Sequence, residues 1–135
     1  PQRTRQLGDP YADECLTTGR LLADALGLLP QQYHITFQSR FGRAAWLQPY
    51  TEPTVQALAR QGADTLDVIC PGFVCDCLET LQEINGEVRH AYLQAGGKTF
   101  QYIPCLNDNP DWIAALGAIS LQHLAGWSEA QPPTA

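Results

Sequence analysis

The sequence predicts an α/β protein, a doubly wound parallel sheet in three α/β/α layers that lacks its first strand. Three observations lead there. Helical and strand-like patterns alternate along the chain, which is the signature of βαβ units. The strand-like runs are short, β-branched or aromatic, and closed by Pro or Gly. The pattern opens on a helix where such a sheet would open on a strand. At 135 residues, 44% apolar and 16% charged, the chain has the size and composition of one ordinary folded domain. That domain is expected over residues 1–127, with residues 128–135 as a flexible tail rich in proline.

Gly8-Asp9-Pro10 marks a loop, and Leu16, Leu21, Leu22, Ala25 and Leu26 recur at helical spacing after it. A helix is expected over 11–26, stopped by Gly27 and Pro30. Tyr33-His34-Ile35-Thr36-Phe37 reads as a strand. A loop through Gly42, Trp46 and Pro49 leads to a second helix over 51–61, with Thr51 as its N-cap and Gly62 beyond its end. Residues 64–70 read as the next strand, cut by Pro71-Gly72. A third helix is expected over 75–94, ended by Gly96-Gly97. A short strand over 100–103 and a last helix over 111–124 complete the order. In sheets of this kind ligands collect beyond the carboxyl ends of the strands. That places the loops 38–49, 71–77 and 104–111 at the expected site.

A net charge of −6 with eight scattered basic residues argues against a nucleic-acid partner, which needs clustered Lys and Arg. No apolar stretch is long enough to span a bilayer. Five cysteines cannot all pair internally, and the C-x4-C-x-C spacing of Cys70, Cys75 and Cys77 is no established zinc pattern. A reduced, cytoplasmic protein with small buried thiols is the expectation. His34, His90 and His123 lack metal-ligand spacing and read as structural.

The third helix carries the most information. At 100° per residue, Asp76, Glu79, Glu83 and Glu87 fall within an arc of roughly 80°, opposite Leu78, Leu81, Val88 and Tyr92. Like charges four residues apart repel on a helix, so the row contributes nothing to helix stability. It is either a solvated acidic face or a line of oxygen ligands and proton acceptors for a divalent cation such as ferrous iron. Asn85-Gly86 in mid-helix is unfavourable, by about 1 kcal/mol for the glycine. A π-type distortion, frequent at functional sites, would account for it. The loop after residue 37 offers Ser39, Arg40 and Arg43 together with Trp46. The guanidinium groups suit carboxylates or phosphates and Trp46 suits a planar ring. An ordinary surface loop around a half-buried Trp fits the same residues.

Tyr33-His34-Ile35-Thr36-Phe37-Gln38-Ser39-Arg40-Phe41-Gly42 with Trp46-Leu47 and Pro49-Tyr50-Thr51 resembles the porphyrin-side loop of the ferrochelatases. Cys70-Pro71-Gly72-Phe73-Val74-Cys75-Asp76-Cys77-Leu78-Glu79-Thr80-Leu81 resembles the signature of that family in its proteobacterial form. Tyr102-Ile103-Pro104-Cys105-Leu106-Asn107-Asp108 and Gly8-Asp9-Pro10-Tyr11 are similar to it as well. The resemblance implies the C-terminal domain of a ferrochelatase, a chelatase-like and Rossmann-like half. It implies insertion of ferrous iron into protoporphyrin IX, with Glu79 at the metal and Glu83, Glu87 and Asp76 as further metal or relay groups. Ser39, Arg40 and Trp46 would then contact the substrate. Iron is a substrate in that reaction, no cofactor is needed, and no [2Fe-2S] cluster is expected.

The family's histidine lies in a His-Gly-Ile-Pro segment whose proline Pro1 resembles, so it would fall upstream. The N-terminal domain that completes the cleft is the expected partner, and the chain alone is expected to be inactive. Peripheral contact with a membrane and association into a homo-oligomer are both compatible with the resemblance. A cobalt-type chelatase and a non-catalytic tetrapyrrole- or metal-binding module are the alternatives.

Overall fold

The structure is a computed structural model and describes residues 2–127. The tail 128–135 and Pro1 lie outside the described residues. The chain divides into two compact units, Pro1–Cys105 and Leu106–Ala135.

The first unit opens with α1 (Gln2–Gln6) and α2 (Tyr11–Ala25). Asp9 turns the chain between them, its Oδ1 accepting the Tyr11 N–H at 3.0 Å. Arg5 and Asp13 pair across the turn at 2.6 Å, an exposed bridge worth little to stability. Helix α2 ends as its glycine predicts. Gly27 takes φ +68°, and the Leu28 N–H reaches back to the Ala23 carbonyl at 2.9 Å, closing the orphan carbonyls of the last turn.

The run from Tyr33 to Phe37 does not form the strand expected of it. It joins no sheet, and its only bridge pairs Phe37 with Tyr50 in parallel. The Phe37 N–H donates to the Pro49 carbonyl at 2.8 Å, and the Thr51 N–H donates to the Phe37 carbonyl at 3.1 Å. The physical reason lies in the partner. Pro49 has no N–H to give, and Thr51 already starts α3 (Thr51–Arg60), so the pairing stops after one residue. Tyr50, not Thr51, is the N-cap. The Thr51 hydroxyl instead meets that of Thr36 at 2.9 Å.

Strands β1 (Thr65–Ile69) and β2 (Thr99–Ile103) form a parallel pair, with Leu66 opposite Phe100 and Val68 opposite Tyr102. Parallel neighbours need a long crossover. Here it is a π-helical segment, Glu79–Val88, running into α4 (Arg89–Gln94). The α/β class with parallel pairing is thus as the sequence predicts. The core consists of Val55 and Ala59 from α3, Ile84, Val88 and Tyr92 from the crossover, and Phe100 from β2. Leu66, Val68 and Tyr102 pack against it from the same face of the sheet, as period-two alternation demands. Tyr92 is fully buried, stacks obliquely on Phe100 at 5.9 Å between centroids, and donates its hydroxyl to the Ala63 carbonyl at 2.6 Å.

The crossover is where regular α-helical geometry gives the wrong phase. The Arg89 N–H bonds the Ile84 carbonyl five residues back, the π pattern. The buried stripe is Thr80, Ile84, Val88 and Tyr92. Leu78 and Leu81, expected to pack on the sheet, are 64% and 51% exposed. An i→i+5 helix takes more residues to the turn than an α-helix, so a 100° wheel misplaces them.

The second unit carries α5 (Pro110–His123). Asn109 caps it, its Oδ1 accepting the N–H groups of Asp111 at 2.9 Å and Trp112 at 3.4 Å, with Pro110 at the first helical position.

Candidate functional site

The parallel register brings the loop after β1 and the residues after β2 to the same end of the sheet. Asp76 stands in the first of these, just before the helical segment. Its Oδ1 accepts the Tyr102 hydroxyl, the Thr80 hydroxyl at 3.1 Å and the Cys105 N–H at 3.3 Å. Thr80 is fully buried and its Oγ1 also accepts the Cys77 N–H at 2.9 Å.

Glu79 opens the π segment and is partly exposed. A hydrogen bond from the Cys77 thiol, helped by Glu79's own backbone N–H, holds its carboxyl below the usual carboxylate range. The carboxylate is therefore ionised at neutral pH. Glu83 lies one four-residue step further along and Glu87, which is exposed, one step beyond that. Each glutamate directly precedes a member of the buried stripe, so the row runs along the flank of the core-facing side.

One of the substrate-side expectations, Ser39, concerns this row. Ser39 adopts a left-handed backbone, φ +60°, uncommon for a residue other than glycine. Its hydroxyl donates to Glu83 Oε2 at 2.5 Å, a short charge-assisted bond. Beside it, Gln38 Nε2 donates to the Glu79 main-chain carbonyl at 2.9 Å. The loop expected to hold a ring system is thus fastened to the acidic row at two successive stations. Arg40 is exposed and its guanidinium lies 4.3 Å from the centre of the Tyr50 ring, a cation–π contact. Trp46 is set elsewhere. Its Nε1 donates to the Phe41 carbonyl at 3.0 Å, and its ring lines a cavity of about 320 Å³ with Arg5, Ala12, Leu16, Phe37 and Leu47. The glutamates do not line that cavity.

Among the described residues, no three His, Cys, Asp or Glu groups are arranged to hold a metal ion together. Asp76, Glu79, Glu83 and Glu87 therefore form no chelating cage of three or more ligands. Burial raises the Cys70 thiol to about 11, the nearby Cys105, Asp76 and Cys77 adding to it, and burial likewise raises Cys105. These thiols stay protonated at neutral pH. Sequence reasoning missed Gln38, Thr80, Tyr102 and the thiol role of Cys77. All four lie within the segments quoted above, but Gln38 and Tyr102 act across 41 and 26 positions, and Thr80 and Cys77 act on near neighbours through side-chain rotamers, neither of which a local pattern displays. No helix among the described residues is long and apolar enough to cross a membrane.

Comparison with known proteins agrees with the segment-by-segment likeness. The family model described as Ferrochelatase matches residues 1–124. The chain is 60% identical over 133 residues to the ferrochelatase of Methylibium petroleiphilum, covering 98% of this chain and 37% of that protein. It is 60% identical over 132 residues to that of a Polaromonas species, covering 98% and 36%. To that of Janthinobacterium it is 58% identical over 134 residues, covering 99% and 36%. The chain thus spans a little over a third of the length of these curated relatives. A match that takes in nearly every described residue, the fastened loop and the acidic row included, settles the family: this chain belongs to the ferrochelatases.

Proposed function

We propose that this chain supplies the C-terminal part of an enzyme that inserts ferrous iron into protoporphyrin IX. The observation that carries the reading is the Ser39–Glu83 hydrogen bond. It joins the loop suited to a planar, carboxylate-bearing ring to the row suited to a divalent cation and to protons. In the reaction, two pyrrole N–H protons leave as iron enters, and no electron is transferred. Glu79 is the group at the reacting centre. It is ionised at neutral pH, so it can contact the iron or accept a pyrrole proton. Glu83 and Glu87 lead outward from it, either for iron arriving or for protons leaving.

On the substrate side, Arg40 offers a guanidinium that is in no ion pair among the described residues, suited to a propionate of the porphyrin. Trp46 offers an aromatic wall. The chain spans a little over a third of its curated relatives, so the remaining wall of the cleft belongs to the rest of the full-length protein. Five cysteines that form no disulfide fit a cytoplasmic, reducing setting.

The test is metal insertion followed by porphyrin absorbance, in the full-length protein and in Glu79→Gln. Wild-type activity with loss in Glu79→Gln supports the reading. Near-normal turnover of Glu79→Gln removes Glu79 from the reacting centre. Tight porphyrin binding by residues 1–135 alone, with no turnover by the full-length protein, would establish the binding-module alternative instead.

A further inference from the structure

The row of four carboxylates is not uniform. Asp76 differs from the three glutamates in what its Oδ1 already does: it accepts from Tyr102, Thr80 and Cys105 at once. A carboxylate oxygen presents about two lone-pair sites, so three donors fill Oδ1 and tie it to structural partners. Tyr102 lies in β2 and Cys105 just past it, whereas Thr80 lies in the π segment. Asp76 therefore joins the sheet to the first turn of the crossover.

The connection continues to the reacting centre. The Thr80 hydroxyl holds the Cys77 N–H at 2.9 Å, and the Cys77 side chain in turn hydrogen-bonds Glu79. From Tyr102 through Asp76, Thr80 and Cys77, each bond fixes the group that fixes the next. The loop that Gln38 and Ser39 fasten to this segment approaches from a different stretch of chain, so Glu79 is held from two independent directions.

We propose that Asp76 is a positioning residue and not an iron ligand, and that Tyr102 is the partner through which it sets the place of Glu79. This rests on the function proposed above only where turnover is read. The brace itself is a structural claim with a structural measurement.

The experiment uses the full-length protein with Tyr102→Phe, Asp76→Asn and Asp76→Ala. Tyr102→Phe keeps the ring and removes only the donor. It is expected to lower kcat about tenfold with the porphyrin KM unchanged, and to speed amide hydrogen exchange across residues 79–88. Asp76→Asn keeps an oxygen acceptor and is expected to recover most of the exchange protection and turnover that Asp76→Ala loses. Unchanged exchange in Tyr102→Phe overturns the brace whatever the activity does. Asp76→Asn as damaged as Asp76→Ala, with a raised KM for ferrous iron and normal exchange, overturns the positioning role in favour of a ligand. If Tyr102→Phe cannot be obtained folded, the Asp76→Asn and Asp76→Ala pair decides alone. An active Glu79→Gln enzyme refutes the catalytic reading and leaves the exchange result to judge the brace.

Discussion

The Ser39 hydroxyl donates to Glu83 Oε2 at 2.5 Å across 44 residues of sequence. A hydrogen bond to an ionised group contributes about 1.5–3 kcal/mol, so Ser39→Ala in the full-length protein is expected to lower kcat/KM for metal insertion about tenfold or more. The loss should appear with little change in thermal stability, since both groups lie near the surface. Steady-state kinetics with zinc or ferrous iron checks it; a wild-type kcat/KM would show that the loop needs no such fastening.

Cys77 governs the protonation of Glu79. Its thiol is the chief reason that the Glu79 carboxyl lies below the usual range. Cys77→Ala removes that donor, so the Glu79 pKa rises toward an ordinary carboxylate value. The acid limb of the pH–kcat/KM profile should then move to higher pH, while the alkaline limb stays in place. An acid limb that does not move would mean that another group sets it.

Gly97 is required by its neighbour. A methyl group there would lie 2.2 Å from Tyr92 Cε1, on a ring that is fully buried and tethered through its hydroxyl to Ala63. Gly97→Ala is expected to destabilise the fold by about 1–3 kcal/mol, read as a lowered Tm. Gly86→Ala is the control. Its methyl would meet only the Leu81 carbonyl, at 3.7 Å, and should cost far less.

Alkaline stability follows from Cys70. Its thiol is raised from 9.0 to about 11, burial being the first cause. Between those values the unfolded chain has lost a proton that the folded one keeps. The contribution is therefore whole below about pH 9 and is lost as the pH rises through about 11, by at most about 1.4 kcal/mol per pH unit. The phenols of the buried Tyr92 and the half-buried Tyr102, also raised, act in the same direction. Denaturant unfolding of Cys70→Ala should fall less steeply over that window. Alkylation at neutral pH should label the exposed Cys75 before Cys70.

What was legible in the sequence was mostly what local chemistry decides. Gly27 and Gly62 end their helices with positive φ, and β1 and β2 fall within one residue of the runs that announce them. Asn85-Gly86 pointed to a distortion, and a π segment spans it. The distortion then spoiled the phase of Leu78 and Leu81. Glu79, Glu83 and Glu87 kept their alignment because four-residue spacing is close to one turn in either kind of helix, whereas Asp76 lies before the helix begins. The strand expected at 33–37 failed because its partner enters a helix after one pairing, which no property of those five residues reveals. In the candidate site, the carboxylates were visible as a pattern. Their distinct duties were not, since those depend on Tyr102, Cys77 and Ser39, each brought in by tertiary structure or by a side-chain rotamer.

The crossover also has a directional consequence. In an α-helix, a stripe taken every four residues overshoots a full turn by about 40° and winds steadily around the axis. In the π part the same stride falls short of a turn and winds the other way. Thr80, Ile84 and Val88 lie in the π part, and the step from Val88 to Tyr92 lies in α4. The two drifts oppose each other, so the seam that faces the sheet stays nearly straight from Thr80, hydrogen-bonded to Asp76, to Tyr92, hydrogen-bonded to Ala63. Restoring plain α geometry would swing the two anchors out of line, so that engaging one would twist the segment away from the other.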